Sequence, residues 1–129
     1  MRRRLAIVGL LGIFLTPIPE VAFGGRPQAG QVGFASWYGT SHQGHKTASG
    51  ERFSRGQLTA AHRSLPLGTK VKVTNLRTKQ QVVVKINDRG PYGGGKGRII
   101  DLSEAAAKRV GLLARGTERV QVVVVENAS

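Results

Sequence analysis

Gln81-Val82-Val83-Val84-Lys85-Ile86-Asn87-Asp88-Arg89-Gly90-Pro91 is the stretch that decides how this chain folds. Four of its first six residues are β-branched, which suits the pleated surface of a buried strand. The run then ends in a carboxylate, a guanidinium and two backbone punctuators. The whole chain holds 7 acidic residues against 20 basic ones. A carboxylate at the end of a core strand in so basic a chain marks Asp88 as the first candidate for chemistry.

Working outward, period-two patterning dominates. Thr69 to Thr74 alternates Val71 and Val73 with Lys70, Lys72 and Thr74. Asn75 to Lys79 is polar enough to turn, so this segment and Gln81 to Ile86 are expected to form a hairpin. Gly33 to Tyr38 reads as an aromatic-rich first strand. Arg119 to Val125 reads as a last strand, with valine at nearly every position, the pattern of a strand covered on both faces. One helix is expected: Ser103 as N-cap, Glu104 in the first turn, Ala105-Ala106-Ala107 to propagate, Lys108 and Arg109 at the C-terminal end, and Gly111 as a left-handed stop. A second short helical turn fits Leu112 to Ala114. Gly39 to Gly68 is rich in Gly, Ser, Thr and His and shows little periodicity, which makes it loop and short-strand material where sites tend to sit. Pro91 to Gly97 is a second glycine-rich loop. There is no repeat and no coiled coil. The fold class is mainly β, a small barrel with one helix packed across it.

The first residues read as a processing signal. Arg2-Arg3-Arg4 precedes an apolar run from Leu5 to Leu15, too short to span a bilayer comfortably. Pro17 and Pro19 break it, and Ala22-Phe23-Gly24 places small residues where a signal peptidase reads. Residues 1–24 are therefore expected to be a signal peptide, 25–32 a flexible leader, 33–126 one barrel domain and 127–129 a tail. The mature chain beyond Gly24 is long enough for one core and not for two. There is no cysteine, which removes disulfides, thiol chemistry and an N-terminal lipid attachment point. The expected location is outside the cytoplasm, in the periplasm or at the cell wall.

Charge narrows the partners. Removing residues 1–24 takes away three of the 20 basic residues and one of the 7 acidic ones, which leaves a net charge of about +11. Such a surface attracts anionic lipid, nucleic acid or an acidic cell-wall polymer, and export makes nucleic acid the least suitable. After Gly24 the only carboxylate side chains are Glu51, Asp88, Asp101, Glu104, Glu118 and Glu126. Any acid–base chemistry draws on these six.

Six short motifs occur in order: Ala35-Ser36-Trp37-Tyr38-Gly39, Thr47-Ala48-Ser49-Gly50-Glu51, Thr59-Ala60-Ala61-His62, Leu65-Pro66-Leu67-Gly68-Thr69, Asn87-Asp88-Arg89-Gly90-Pro91 and Arg98-Ile99-Ile100-Asp101-Leu102-Ser103. Together they resemble the rare lipoprotein A (RlpA) family over roughly Gly33 to Glu126. The resemblance implies a six-stranded double-psi β-barrel with one or two short helices, related in architecture to expansins and some glycoside hydrolases. It also implies a peptidoglycan lytic transglycosylase that favours glycan strands stripped of stem peptides. Such an enzyme cleaves between N-acetylmuramic acid and N-acetylglucosamine and leaves a 1,6-anhydro end. The family's functional residues map onto Glu51, His62 and Asp88. Many relatives carry a lipid-attachment cysteine and a C-terminal glycan-binding SPOR domain; neither is expected for this chain, so septal targeting is not expected to carry over.

Read residue by residue, Asp88 suits general acid–base work, because a carboxyl group with raised pKa delivers a proton well. If its strand runs regularly, it shares a face with Val82, Val84 and Ile86, apolar surroundings that raise such a pKa. Glu51, in a glycine-flanked loop, is the natural second carboxylate. His62 orients or protonates one of these acids, or bonds a sugar hydroxyl. Trp37, Tyr38 and Tyr92 offer flat faces to pyranose rings. Neighbours on a strand point to opposite sides, so one of Trp37 and Tyr38 should pack inward and the other stand free. Arg89 sits beside Asp88, and Asp101 is either a third polar group in the groove or a structural hydrogen-bonder. Arg52, Arg55, Arg63, Lys70, Lys72, Lys85, Lys96 and Arg98 frame the groove in sequence, suited to the lactyl carboxylates of peptide-free glycan.

Other chemistries fail. His42-Gln43-Gly44-His45 has no further ligands at a convincing spacing, so no metal is expected. Gly90 to Lys96 has the outline of a phosphate loop, but Gly97 stands where Ser or Thr is needed. Ser64, His62 and Asp88 lack a nucleophile elbow. No cofactor is expected. The rival readings are a non-catalytic, expansin-like wall-binding module and an accessory protein docking on other cell-wall proteins. Intact-mass measurement of the exported protein is expected to find Gly25 at its N-terminus; a mass that still includes Met1 contradicts the signal-peptide reading.

Overall fold

A computed structural model describes residues 30–39, 42–93 and 97–128. The expected signal peptide, most of the leader, Ser129 and the glycine-loop residues 94–96 lie outside them.

Six strands and one helix follow one another: β1 (Gln31–Trp37), β2 (Thr59–Ala61), β3 (Lys70–Asn75), β4 (Gln81–Asp88), β5 (Arg98–Leu102), α1 (Glu104–Arg109) and β6 (Glu118–Glu126). The strands close into a barrel in the order β1-β5-β2-β4-β3-β6. β1 runs parallel to β5 and β2 parallel to β4, and the other four pairings are antiparallel. This closed mixed six-stranded barrel is the architecture that the resemblance implies. The β3–β4 hairpin forms as its alternation requires, with Val71 opposite Val84 and Val73 opposite Val82. All four valines are buried. They fill the barrel with Ala35, Ala60, Ile86, Ile100, Leu102, Val120 and Val122, and burial of each large apolar side chain is worth about 1.5–3 kcal/mol.

The helix obeys its sequence signals. Ser103 is extended at φ −63°, ψ 161°, and its hydroxyl accepts the amide of Ala106. Gly111 supplies the stop at φ +73°, and a Cβ there would stand 2.7 Å from Gln80 Oε1. Ala106, Ala107, Val110 and Leu112 join the barrel's apolar core. Asn75, fully buried, fastens this end: its amide donates to the Val110 carbonyl at 2.7 Å, and its Oδ1 accepts the amides of Arg77 and Thr78.

Two expectations are corrected. β1 begins at Gln31, so Gln31 and Val32 are not leader; they pair with Val122 and Gln121 of β6. β6 is not covered on both faces, because Val120 and Val122 point into the core while Val125 is 50 % exposed on the outer face of an antiparallel ladder. Leu112 to Ala114 forms the single expected turn, closed by the Gly116 amide donating to the Leu112 carbonyl at 2.9 Å, with Leu112 drawn into the core. β2 and β5 escape periodicity: β2 has three residues, all buried, and β5 places Ile99 and Ile100, both buried, side by side.

Ser103 does more than cap. Its hydroxyl also donates to the Gln57 carbonyl at 2.6 Å, and the side chain is fully buried. Ser103→Ala removes the bonds to Ala106 and Gln57 and a longer one from the Thr59 amide at 3.4 Å, and is expected to cost about 2 kcal/mol. In urea titration the unfolding midpoint should fall with an unchanged slope; an unchanged midpoint contradicts this account.

Candidate active site

The site is built on a break in a strand. β2 pairs with β4 as Ala60 opposite Ile86 and then Ala61 opposite Asp88, with Asn87 left over as the bulged residue. Ile86 and Ala60 point into the core. A regular strand would turn Asp88 inward with them; the bulge re-aims it to the outer face. The expectation that Asp88 shares a face with Val82, Val84 and Ile86 is therefore corrected. On the other side of β2, Ala61 pairs with Asp101 of β5. Asp88 and Asp101 thus flank Ala61 on the same face, with their Cα atoms two strand spacings apart, about 10 Å.

Around Ala61 lies a second, small apolar cluster made with Tyr38 and Phe53. The Tyr38 ring meets Phe53 edge-on at 4.6 Å and stacks on His42 at 4.9 Å and 16°. Packed this way, its hydroxyl donates to Asp88 Oδ2 at 3.0 Å. Burial, and then the adjacent Asp88 charge, push the phenol far up, so it stays a donor. Asp88 Oδ1 accepts the amides of Ala48 and Arg89, both at 2.9 Å. Its surroundings are hydrogen-bonding rather than apolar. Gly90, next in line, sits at φ +125°, a conformation that L side chains rarely adopt.

Asp101 differs. Burial pushes its carboxyl above the usual range and the Asp88 charge adds to this; the Ser36 hydroxyl and the charges of Arg98 and His42 oppose it. Ser36 donates to Asp101 Oδ1 at 3.1 Å and accepts from Arg98 at 2.8 Å, while Arg98 also donates to the Gly93 carbonyl at 2.7 Å. The two aspartates line a cavity of about 230 Å³ with Tyr38, His42, Arg89, Gly90, Pro91, Tyr92 and Arg98. Tyr92 is 67 % exposed at its rim.

Of the residues singled out from sequence, Asp88, Tyr38, Arg89, Tyr92 and Asp101 meet here. Trp37 does not; half-buried, it packs on the barrel core. Neither it nor Tyr38 stands free, since Tyr38 lies beyond the end of β1 and is buried under its loop. Glu51 lines a separate depression, where it accepts from Lys85 Nζ at 2.7 Å and Asn87 Nδ2 at 3.2 Å. Those two bonds hold its carboxyl below the usual range. His62 is buried and turned away: Nδ1 accepts the amides of Ser64 and Leu65, and Nε2 meets Gln31 Oε1 at 3.0 Å. Burial, and then the charges of Arg89 and Arg63, lower its pKa.

Both residues reach Asp88 through backbone. The Glu51 carboxylate holds Asn87 and Lys85, and the 47–51 loop that carries it delivers the Ala48 amide to Asp88. The turn held by the His62 ring offers the carbonyls of His62 and Leu65 to the Arg89 guanidinium at 3.2 and 2.8 Å. Sequence reading missed Ser36 as the link between Arg98 and Asp101, and His42 as the lid on Tyr38. The alternation Ser36-Trp37 against Arg98 and Asp101 was the available signal for the first, hidden by the shortness of β5.

Comparison with known proteins speaks to family and fold. The lytic transglycolase family model matches residues 30–122. A probable endolytic peptidoglycan transglycosylase RlpA of Synechocystis sp. is 56% identical over 94 residues, 73% of this chain and 29% of the relative. The endolytic peptidoglycan transglycosylase RlpA of Campylobacter jejuni is 48% identical over 93 residues, 72% of this chain and 33% of the relative. The chain thus spans about a third of the length of these curated relatives. Among solved structures, the Streptomyces papain inhibitor superposes with a TM-score of 0.61 at 21% identity, covering 78% of this chain and 97% of the other. An apo expansin of Clavibacter michiganensis gives 0.60 at 24%, covering 78% of this chain and 52% of the other. These two likenesses speak for the fold alone. The family match runs from just before β1 into β6 and includes both aspartates, and the chain belongs to the lytic transglycolase family.

Proposed function

We propose that this chain is a peptidoglycan lytic transglycosylase acting outside the cytoplasm on glycan strands. The observation that carries the reading is the pair Asp88 and Asp101, held across Ala61 in one open cavity. The names of the similar RlpA proteins support the substrate class. Among the described residues no helix is long and apolar enough to cross a membrane.

The chemistry comes from the two environments. Burial raises the Asp101 carboxyl above the usual range, which suits it to deliver a proton to the oxygen joining N-acetylmuramic acid C1 to the next sugar. As the C1–O bond breaks, the substrate's own C6 hydroxyl oxygen bonds to C1, and its proton passes to Asp88. No water is consumed, and the products are a 1,6-anhydro end and a free 4-hydroxyl. Tyr38 and the two amides fix the accepting carboxylate. Arg89 and Arg98 line the cavity with positive charge that suits lactyl carboxylates, and Tyr92 offers a ring face to a sugar. Glu51 and His62 act as positioning residues through their backbone contacts with the Asp88 and Arg89 surroundings.

Incubation with peptidoglycan, intact and amidase-stripped, followed by mass spectrometry, is expected to release fragments with 1,6-anhydromuramic ends. Asp88→Asn and Asp101→Asn should each lower the rate by about 10²–10⁴-fold. Products with reducing ends would instead indicate hydrolysis. Binding without any product would move the reading to an expansin-like module. Activity should decline as pH rises through the elevated Asp101 pKa, since the ionised form has no proton to give.

His62 yields a separate expectation for stability. Its folded pKa lies below the unfolded value, so the unfolded chain binds the extra proton first. Stability is intact above about pH 6.5 and falls as pH drops through the window below it. A charged ring also turns an N–H toward the amides of Ser64 and Leu65. Thermal unfolding between pH 7.5 and 5 should show this decline and lose part of it in His62→Asn.

A further inference from the structure

The depression that holds Glu51 is not explained by the proposed chemistry. It measures about 350 Å³ and is lined by Ala48, Ser49, Glu51, Leu67, Gly68, Lys85, Ile86 and Asn87. One residue separates it from the catalytic cavity: Ala48 lines it, and the Ala48 amide is bonded to Asp88 Oδ1. We propose that this depression is a second sugar subsite of the same groove, seating an N-acetylhexosamine of the glycan strand beyond the cleavage site. The inference rests on the glycan reading of the catalytic cavity.

Its chemistry fits a neutral, hydroxyl-rich ring better than an ion. Lys85 Nζ and a Glu51 carboxylate oxygen lie 2.7 Å apart, with side chains 39% and 47% exposed. The pair presents a donor and an acceptor side by side and near-zero net charge, the complement of two adjacent sugar hydroxyls. The Ser49 hydroxyl bonds Glu51 Oε1 at 3.3 Å and extends the polar edge. In the same lining, half-buried Leu67 gives an apolar face suited to a pyranose C–H face or an acetamido methyl. The Lys85–Glu51 pair is too exposed to be a strong structural element. Asn87 also connects the two depressions, since its side chain bonds Glu51 while its neighbour in sequence is Asp88. A polymer lying across Ala48 then touches both depressions, whereas a short oligomer fills only one.

Chain length is therefore the variable to test. The ¹⁵N-labelled protein would be titrated with the dimer and the tetramer of β-1,4-N-acetylglucosamine, which lack the muramic acid at which cleavage is proposed. The dimer is expected to move amides around Asp88, Arg89 and Tyr92. The tetramer should also move Ser49, Gly68 and Lys85 and bind about tenfold more tightly, roughly the worth of one charge-assisted hydrogen bond. Leu67→Trp, which fills the depression, should remove that increment and leave dimer binding unchanged, its own spectrum reporting that it is folded. Lys85→Met serves as the second variant and should reduce the increment. Identical shifts and affinities for both lengths overturn the subsite and leave the catalytic reading standing. Failure of both oligomers to bind, together with an absence of anhydro products, overturns both.

Discussion

Everything at this site depends on one unpaired residue. Because Asn87 is squeezed out of the β2–β4 ladder, the last residue of a core strand emerges on the outside of the barrel. Without that offset Asp88 would enter a core of valines and isoleucines, where a carboxylate has no partners. With it, the residue meets a phenol and two amides. The break is partly offset, since the Asn87 carbonyl accepts the Ser49 amide and its side chain amide bonds Glu51, although its Oδ1 is buried without a partner.

The two aspartates show how one outer face gives two carboxyl groups different surroundings. Asp88 is at the end of a strand, where loop amides can reach it. Asp101 lies within β5, bonded by a single hydroxyl, and burial raises its carboxyl. Enclosure favours the protonated form, so holding a charge there opposes folding at neutral pH. The barrel accepts that opposition at the position where the proposed chemistry calls for a proton donor. Ala61 keeps the two apart, and its small side chain lets Tyr38 and Phe53 close over the space between them.

Much of this was legible in the sequence. Ser103 and Gly111 bound α1 as read, because capping is a local matter and the residues concerned carry their own signal. The β3–β4 hairpin was equally plain, since alternation survives wherever one face is buried. Asp88 was legible from its place after a β-branched run. What stayed hidden depends on pairing. The bulge at Asn87 exists only in relation to β2, a strand of three residues with no pattern to read. Glu51, His62 and Asp88 are grouped by their motifs, and the structure spaces them around β4 with different atoms facing different neighbours. Asp101 and Ser36 are 65 residues apart and meet because β1 and β5 lie side by side.

The order of strands around the barrel has a kinetic meaning. The groove draws Ser36 from β1, Ala61 from β2, Asp88 from β4 and Asp101 from β5. β1 is hydrogen-bonded on one side to β5 and on the other to β6, the last strand of the barrel. Pairings this distant in sequence form slowly, because loop closure precedes their reward. The first strand thus waits for nearly the whole chain before it is clamped from both sides. A nascent or partly unravelled barrel has its aspartates unassembled, so the cavity they line exists only in the finished fold.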